Sequence, residues 1–174
     1  DGTVDFLKSL TDPRVRWISE QDRGQSDAVN KGLAMASGDV VAWLNSDDLY
    51  TPGALSSVAC AFASRPNANW LVGRYAIVDS AGKPIRPGIV RYKEKFLRRY
   101  SLRSLLRENF IPQPAVFWRR EFGQTVGPLD LSLHFTMDYD LWLRMAGKAD
   151  PVFLDRVIAQ FRVHEQSKTG VIDR

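Results

Sequence analysis

The sequence predicts one α/β layered domain spanning residues 1–174. Strand-like and helix-like segments alternate through the first half, and no repeat, low-complexity tract or linker interrupts them. The 174 residues are 44% hydrophobic and 25% charged, a composition and length that suffice to bury a proper core. Cys60 is the single cysteine, so a disulfide within the chain and a Cys-based zinc site are both excluded, and a reducing compartment fits best. Uninterrupted apolar runs such as Val40 to Leu44 are far short of the roughly 20 residues a bilayer span needs.

Taken in order, Arg16 to Ser19 reads as the end of a short strand, followed by a polar turn from Glu20 to Gly24. From Ser26 to Ala36, Val29, Gly32, Leu33 and Ala36 recur at helical spacing, and Ser37-Gly38 supplies a stop. Asp39 to Leu44 then reads as a buried strand. Asn45-Ser46-Asp47-Asp48 leaves it, and Thr51-Pro52 reads as a helix start with an N-cap hydroxyl and proline at the first helical position. Ala54, Leu55, Val58, Ala59 and Phe62 would form the inward stripe of that helix, which Arg65-Pro66 ends. Trp70 to Val78 is expected as a strand paired, across a turn at Asp79 to Lys83, with Ile85 to Arg91. Ser101 to Glu108 reads as a short helix and Ala115 to Trp118 as a strand. Met137 to Ala146 reads as a helix with Leu141, Trp142 and Met145 inward, and Val152 to Val163 as a closing strand or pair.

The net charge of +4 is unevenly spread. Between Arg91 and Arg107, five Arg and two Lys stand against Glu94, which leaves the rest of the chain slightly negative. Interleaved with Phe96, Leu97, Tyr100, Leu102, Leu105 and Leu106, this stretch reads either as a solvated amphipathic helix or as a face for phosphates or anionic lipid. No nucleic-acid motif accompanies it.

Two groups of residues carry chemistry. In open α/β sheets ligands gather beyond the carboxyl ends of strands, which is where Asp47 and Asp48 fall. Two carboxylates in a short loop can share a hard divalent cation such as Mg²⁺ or Mn²⁺, or they can serve as turn residues bonded to nearby backbone N–H groups. At the start of the 137–146 helix, Asp138 shares a face with Leu141, Trp142 and Met145. A carboxylate there is either a functional group or a first-turn acid favoured by the helix macrodipole. Asp140 and Arg144 have the spacing of an ordinary i,i+4 pair, as do Asp27 and Lys31.

The run DRGQSDAVNKGLAMASGDVVAWLNSDDLYTPGAL resembles the central segment of family 2 glycosyltransferases of GT-A fold, in which a strand ends in a DxD-type motif. The resemblance implies a nucleotide-diphospho-sugar transferase with a Rossmann-like mixed sheet flanked by helices. It implies a metal, Mg²⁺ or Mn²⁺, bound to the donor diphosphate by Asp47 and Asp48. Asn45 stands where the family's leading acid lies, keeping an oxygen but losing a charge, so Asp47 is the expected direct ligand and Asn45 a contact for the donor's ribose or sugar. Gly24, Asp27, Asn30, Lys31 and Gly32 match the family's stretch beside the nucleotide, which makes Asp27, Asn30 and Lys31 expected donor contacts. Phe135 to Arg144 is similar to the Glu-Asp-x-Asp motif, with Met137 in place of Glu and Asp138 where the catalytic base lies; Asp140 would orient the site or acceptor. Gln113-Pro114-Ala115-Val116-Phe117 resembles the segment leading to the base, with Gln113 at the acceptor or sugar pocket. Arg162-Val163-His164-Glu165-Gln166-Ser167-Lys168-Thr169 resembles the family's Arg-x-His-x-x-Ser-x-Thr tail. His164 would complete the metal shell or touch the diphosphate, with Arg162 or Lys168 helping to neutralise it.

The expected activity is therefore inverting transfer of a sugar from a nucleoside-diphosphate sugar to a glycan or lipid-linked acceptor. The resemblance places it in a bacterial polysaccharide-type pathway, in the cytoplasm or peripheral at the inner membrane face, with Arg91 to Arg107 a candidate membrane contact and no nucleic-acid partner. An alternative from another class is a non-catalytic nucleotide- or sugar-binding module derived from this fold, which Asn45 and Met137 favour. The chain opens on Asp1-Gly2-Thr3 without an initiator Met. It resembles the end of the family's Ser-Thr-Asp-Gly-Thr segment, so the first strand-helix unit is expected to be missing, with an exposed sheet edge and weakened activity.

Overall fold

A computed structural model describes residues 2–165 and 167. The elements run, in order, α1 (Thr3–Ser9), α2 (Gln25–Met35), β1 (Val40–Val41), β2 (Leu49–Tyr50), α3 (Ala54–Ser64), β3 (Trp70–Val78) and β4 (Pro84–Ile85). They continue with α4 (Pro87–Arg98), α5 (Leu102–Leu105), a 3₁₀ turn (Gln113–Ala115), β5 (Val116–Arg119), α6 (Arg120–Val126), α7 (Met137–Ala146) and β6 (Val152–Arg162). The strands form one mixed sheet in the order β1-β5-β3-β6-β2, with β4 pairing on β3. β3 and β6 are parallel, from Leu71 opposite Val152 to Val78 opposite Arg162, and the other pairs are antiparallel.

β3 organises the domain because its alternation feeds two cores. Trp70 and Val72 point into an apolar cluster with Trp43, Trp118, Trp142 and Met145, built largely from α2, α4, α6 and α7. Leu71, Tyr75 and Ile77 face the opposite cluster, where α3 lays down Ala54, Val58, Ala61 and Phe62. In the first core the indoles of Trp43 and Trp142 stack at 5.5 Å, and Trp118 meets Trp43 edge-on at 5.8 Å. Helices on both faces of a mixed sheet give the predicted α/β layering.

Several local expectations are corrected. Residues 16–19 form no strand among the described residues, because no ladder lies beside them to accept one. The strand expected over 39–44 shortens to two residues: β5 pairs only with Val40 and Val41, and the Trp43 carbonyl is taken by the Gln113 side chain at 2.9 Å instead of a neighbouring strand. Thr51 does not cap α3; its hydroxyl donates to the Val157 carbonyl at 2.8 Å, and α3 starts after Gly53, which is left-handed at φ 75°. The buried stripe of α3 runs Ala54, Val58, Ala61 and Phe62, so Leu55 and Ala59 face outward and Ala61 lies inside. The hairpin partner of β3 ends at Ile85, since Pro87 lacks an N–H for a ladder but suits the first turn of α4.

Candidate active site

The antiparallel pairing of β2 with β6, Leu49 opposite Gln160, brings the residues before β2 alongside those after β6. The sequence separation is over a hundred residues, yet the two loops are stitched together. The Arg162 backbone N–H donates to Asp48 Oδ1 at 2.9 Å, and Arg162 Nε donates to the Asp47 carbonyl at 2.9 Å. Nη1 of the same guanidinium donates to the Ser80 carbonyl at 2.8 Å, so Arg162 is a brace between loops. Ser167 closes the turn at His164 through its hydroxyl, at 2.8 Å from the His164 carbonyl. This stitching sets His164 Nε2 at 3.2 Å from Asp47 Oδ2, with both side chains about 30% exposed.

Asp48 faces inward at 3% exposure. Burial pushes its carboxyl up to about 6, against the opposing pull of the Arg162 N–H. Its second oxygen accepts from Asn45 Nδ2 at 3.3 Å. Asn45 also donates to Gln113 Oε1 at 2.9 Å and accepts from Gln25 Nε2 at 3.0 Å. A chain of amides, Gln25 to Asn45 to Gln113 to the Trp43 carbonyl, thus fixes the wall beside Asp47.

On the other side, α7 delivers Asp138 in its first turn. Met137 is 6% exposed and receives the Ser26 hydroxyl at 2.9 Å, pinning the start of α7 to α2. Asp138 Oδ1 accepts the Tyr139 N–H at 2.7 Å. Burial raises the Asp138 carboxyl above the ordinary range, while the Tyr139 N–H, the Lys93 ammonium and the Asn109 amide pull it back. Burial in turn lowers the Lys93 ammonium, opposed by Glu108 and Asp138.

Asp47, His164, Asn45, Gln113 and Asp138 line one cleft of about 820 Å³. Such a volume accommodates a ligand of nucleotide-sugar size. Asp27, Asn30, Lys31, Asp48 and Asp140 do not line it. Asn30 pairs both ends of its amide with the backbone of Leu129, each bond 2.9 Å long. Lys31 holds Glu20 at 2.8 Å and the Gln21 carbonyl at 3.0 Å, while Asp27 accepts the Arg23 N–H at 3.0 Å. These residues fasten the 20–24 turn to α2. Asp140 lies two residues from Asp138 and so on another face of the helix. It binds Arg144 at 2.8 Å, whose guanidinium also holds the Val126 and Pro128 carbonyls at 2.9 Å. Lys168 lies outside the described residues.

Sequence reasoning missed Gln25, Lys93 and Asn109, all of which line the cleft. For Lys93 a signal existed: Ile89, Lys93 and Leu97 share a helical stripe, so one cation of the basic run had to face inward. Gln25 and Asn109 carry no such signal.

Asp47 and His164 are the residues that would hold a divalent cation if one bound here, the imidazole favouring Mn²⁺ over Mg²⁺. Among the described residues no third acidic, His or Cys side chain joins them, so the protein alone makes no closed cage.

Comparison with known proteins agrees with this architecture. An uncharacterized glycosyltransferase of Rickettsia bellii is 29% identical over 95% of this chain and 24% of its own length. One of Mycobacterium tuberculosis is 28% identical over 92% of the chain and 59% of its own length. A Mycobacterium bovis protein described as a PGL/p-HBAD biosynthesis glycosyltransferase is 31% identical over 89% of the chain and 57% of its own length. The chain thus spans between about a quarter and three-fifths of these relatives. The crystal structure of S. aureus TarS 1-349 in complex with UDP-GlcNAc superimposes with a TM-score of 0.70 at 16% identity, covering 96% of this chain and 48% of that one, which establishes the GT-A fold. A sequence profile of glycosyl transferase family 2 matches residues 1–123, and the chain belongs to that family.

Proposed function

We propose that this domain transfers a sugar from a nucleoside-diphosphate sugar to a glycan or lipid-linked hydroxyl with inversion, aided by Mn²⁺ or Mg²⁺. The observation that carries the proposal is the shared cleft: a metal-type pair, Asp47 and His164, and a half-buried carboxylate, Asp138, line the same cavity. A divalent cation bound with the diphosphate would neutralise charge developing on the leaving group.

The chain's own residues do the rest. The Asn45–Gln113 amide pair shapes the wall against which the donor sugar lies. Asp138 accepts the proton of the acceptor hydroxyl as its oxygen attacks the anomeric carbon, and the bond to the diphosphate breaks on the opposite face. Burial keeps the Asp138 carboxyl a stronger base than an exposed aspartate, and the Lys93 ammonium keeps it ionised. One displacement inverts the anomeric configuration. We place the reaction on the cytoplasmic side of a membrane; no helix among the described residues is long and apolar enough to cross one.

The test is turnover of UDP-GlcNAc and other UDP-sugars with Mn²⁺ by the full-length protein. Wild type should hydrolyse or transfer a donor, Asp47→Ala should lose metal-dependent UDP binding, and Asp138→Asn should bind UDP but not turn over. A wild type that binds UDP with Mn²⁺ yet consumes no donor, matched by an Asp138→Asn variant that binds equally well, would overturn the enzyme in favour of a non-catalytic binding module.

A further inference from the structure

The basic run faces two ways. On α4 and its two caps, Arg86, Ile89 and Lys93 line the cleft, whereas Arg91, Tyr92, Lys95 and Arg99 are exposed and do not line it. On α5 and the turn after it, Leu102, Arg103, Leu106 and Arg107 are exposed, Leu106 at 62%. Three acids lie near this surface, and each has a partner: Glu108 accepts the Tyr92 hydroxyl at 2.8 Å. Glu94 is buried and binds Arg74 at 2.7 Å, and Asp155 takes Arg98 at 2.7 Å. Among the described residues Arg91, Lys95, Arg99, Arg103 and Arg107 make no ion pair.

The two pieces form one lip. Tyr92 donates its hydroxyl to Glu108 at 2.8 Å, joining the outer face of α4 to the chain just past α5. The next residue on each strand of this tie, Lys93 and Asn109, lines the cleft. The Tyr92–Glu108 tie therefore adjoins the cavity that Asp138 lines.

We propose that this lip docks the domain on an anionic lipid bilayer, with Leu102, Leu106 and Tyr92 seated at the headgroup level and Arg91, Lys95, Arg99, Arg103 and Arg107 against lipid phosphates. Charge complementarity argues for the bilayer. The cations are unpaired, closely spaced and mixed with exposed apolar side chains, the combination that surface-lying helices use on anionic membranes. A solvated face would carry interspersed acids. The docking itself does not depend on the proposed sugar transfer, and its test needs no turnover.

The experiment is co-sedimentation of the chain with vesicles of phosphatidylglycerol and phosphatidylcholine, compared with phosphatidylcholine alone. Binding should occur on the anionic vesicles and weaken as salt rises. It should fall by roughly ten-fold or more in the double variant Lys95→Glu, Arg99→Glu, because each cation near the surface contributes substantially. Leu106→Ser should weaken binding with less effect on its salt dependence. Circular dichroism should be unchanged, since all three positions are exposed. Equal binding by wild type and the double variant would overturn the proposal. So would absence of vesicle binding accompanied by capture on heparin, which would assign the lip to a soluble polyanion.

Discussion

His164 Nε2 sits 3.2 Å from Asp47 Oδ2 although 117 positions separate them in the chain. The Arg162 N–H bond to the Asp48 side chain also holds the two loops together, and the Asp47–His164 pair lines the cleft. Asp47→Ala should leave the melting temperature within the small range typical of surface substitutions, about 0.5 kcal/mol, while cutting donor turnover by roughly 100-fold or more. Thermal melts with UDP separate the two effects. Mn²⁺ should raise the wild-type melting temperature when UDP is present and do nothing for Asp47→Ala.

Asp138 sets up the opposite bargain between stability and activity. Burial raises its carboxyl, so between the unfolded value of 3.8 and the higher native value the folded chain binds the extra proton. Stability from this group consequently falls as pH rises through that window. At neutral pH the buried charge is a standing cost that Asp138→Asn removes. The variant should melt higher than wild type at pH 7, with the gain shrinking towards pH 4, and should lose roughly 100-fold to 10,000-fold in turnover. A variant that melts lower at pH 7 would show that the carboxylate is fully compensated by its partners.

Much of this site was legible because local chemistry and tertiary role agree. The alternation of Trp70 to Val78 and the helical spacing of Met137 to Ala146 coincide with the observed β3 and α7. The acidic loop was legible in part: it lies beyond the carboxyl end of β1, where ligands gather, but it leads into β2 (Leu49–Tyr50) and not straight into a helix. What could not be read was the partner of each polar group. Asp48 has the same residue type as Asp47 next to it, but the Arg162 N–H more than a hundred residues away turns it inward. Asn30 and Asp140 sit in motif positions, yet Leu129 and Arg144 claim their side chains. The two-residue β1 was illegible too, since an amide side chain replaces the missing ladder at Trp43.

Asp48 therefore predicts a structural phenotype where Asp47 predicts a chemical one. Asp48→Ala leaves the part-buried Arg162 N–H without its acceptor and removes one partner of Asn45. A donor left unsatisfied away from water costs about 1–3 kcal/mol, so the melting temperature should drop by several degrees. Activity should fall with it, because the loops that carry Asp47 and His164 are no longer stitched. Denaturant melts of the two alanine variants side by side check this: loss of stability confined to Asp48→Ala supports the division, and equal stabilities would refute it.

Lys93 supplies the last prediction, one that a merely structural lysine would not satisfy. Its ammonium pulls the Asp138 carboxyl back down. Replacing it by Met keeps the stem that packs along the cleft and removes the charge. Asp138 should then hold its proton to higher pH. The acid limb of the rate profile, where the base must be ionised to act, should move to higher pH, with the plateau above it less affected. Lys93→Arg keeps the charge and should keep the limb near its wild-type position. Rate profiles of the three proteins decide the matter: a limb unmoved in Lys93→Met would mean that Asp138 is not the group titrating there, or that Lys93 does not act on it.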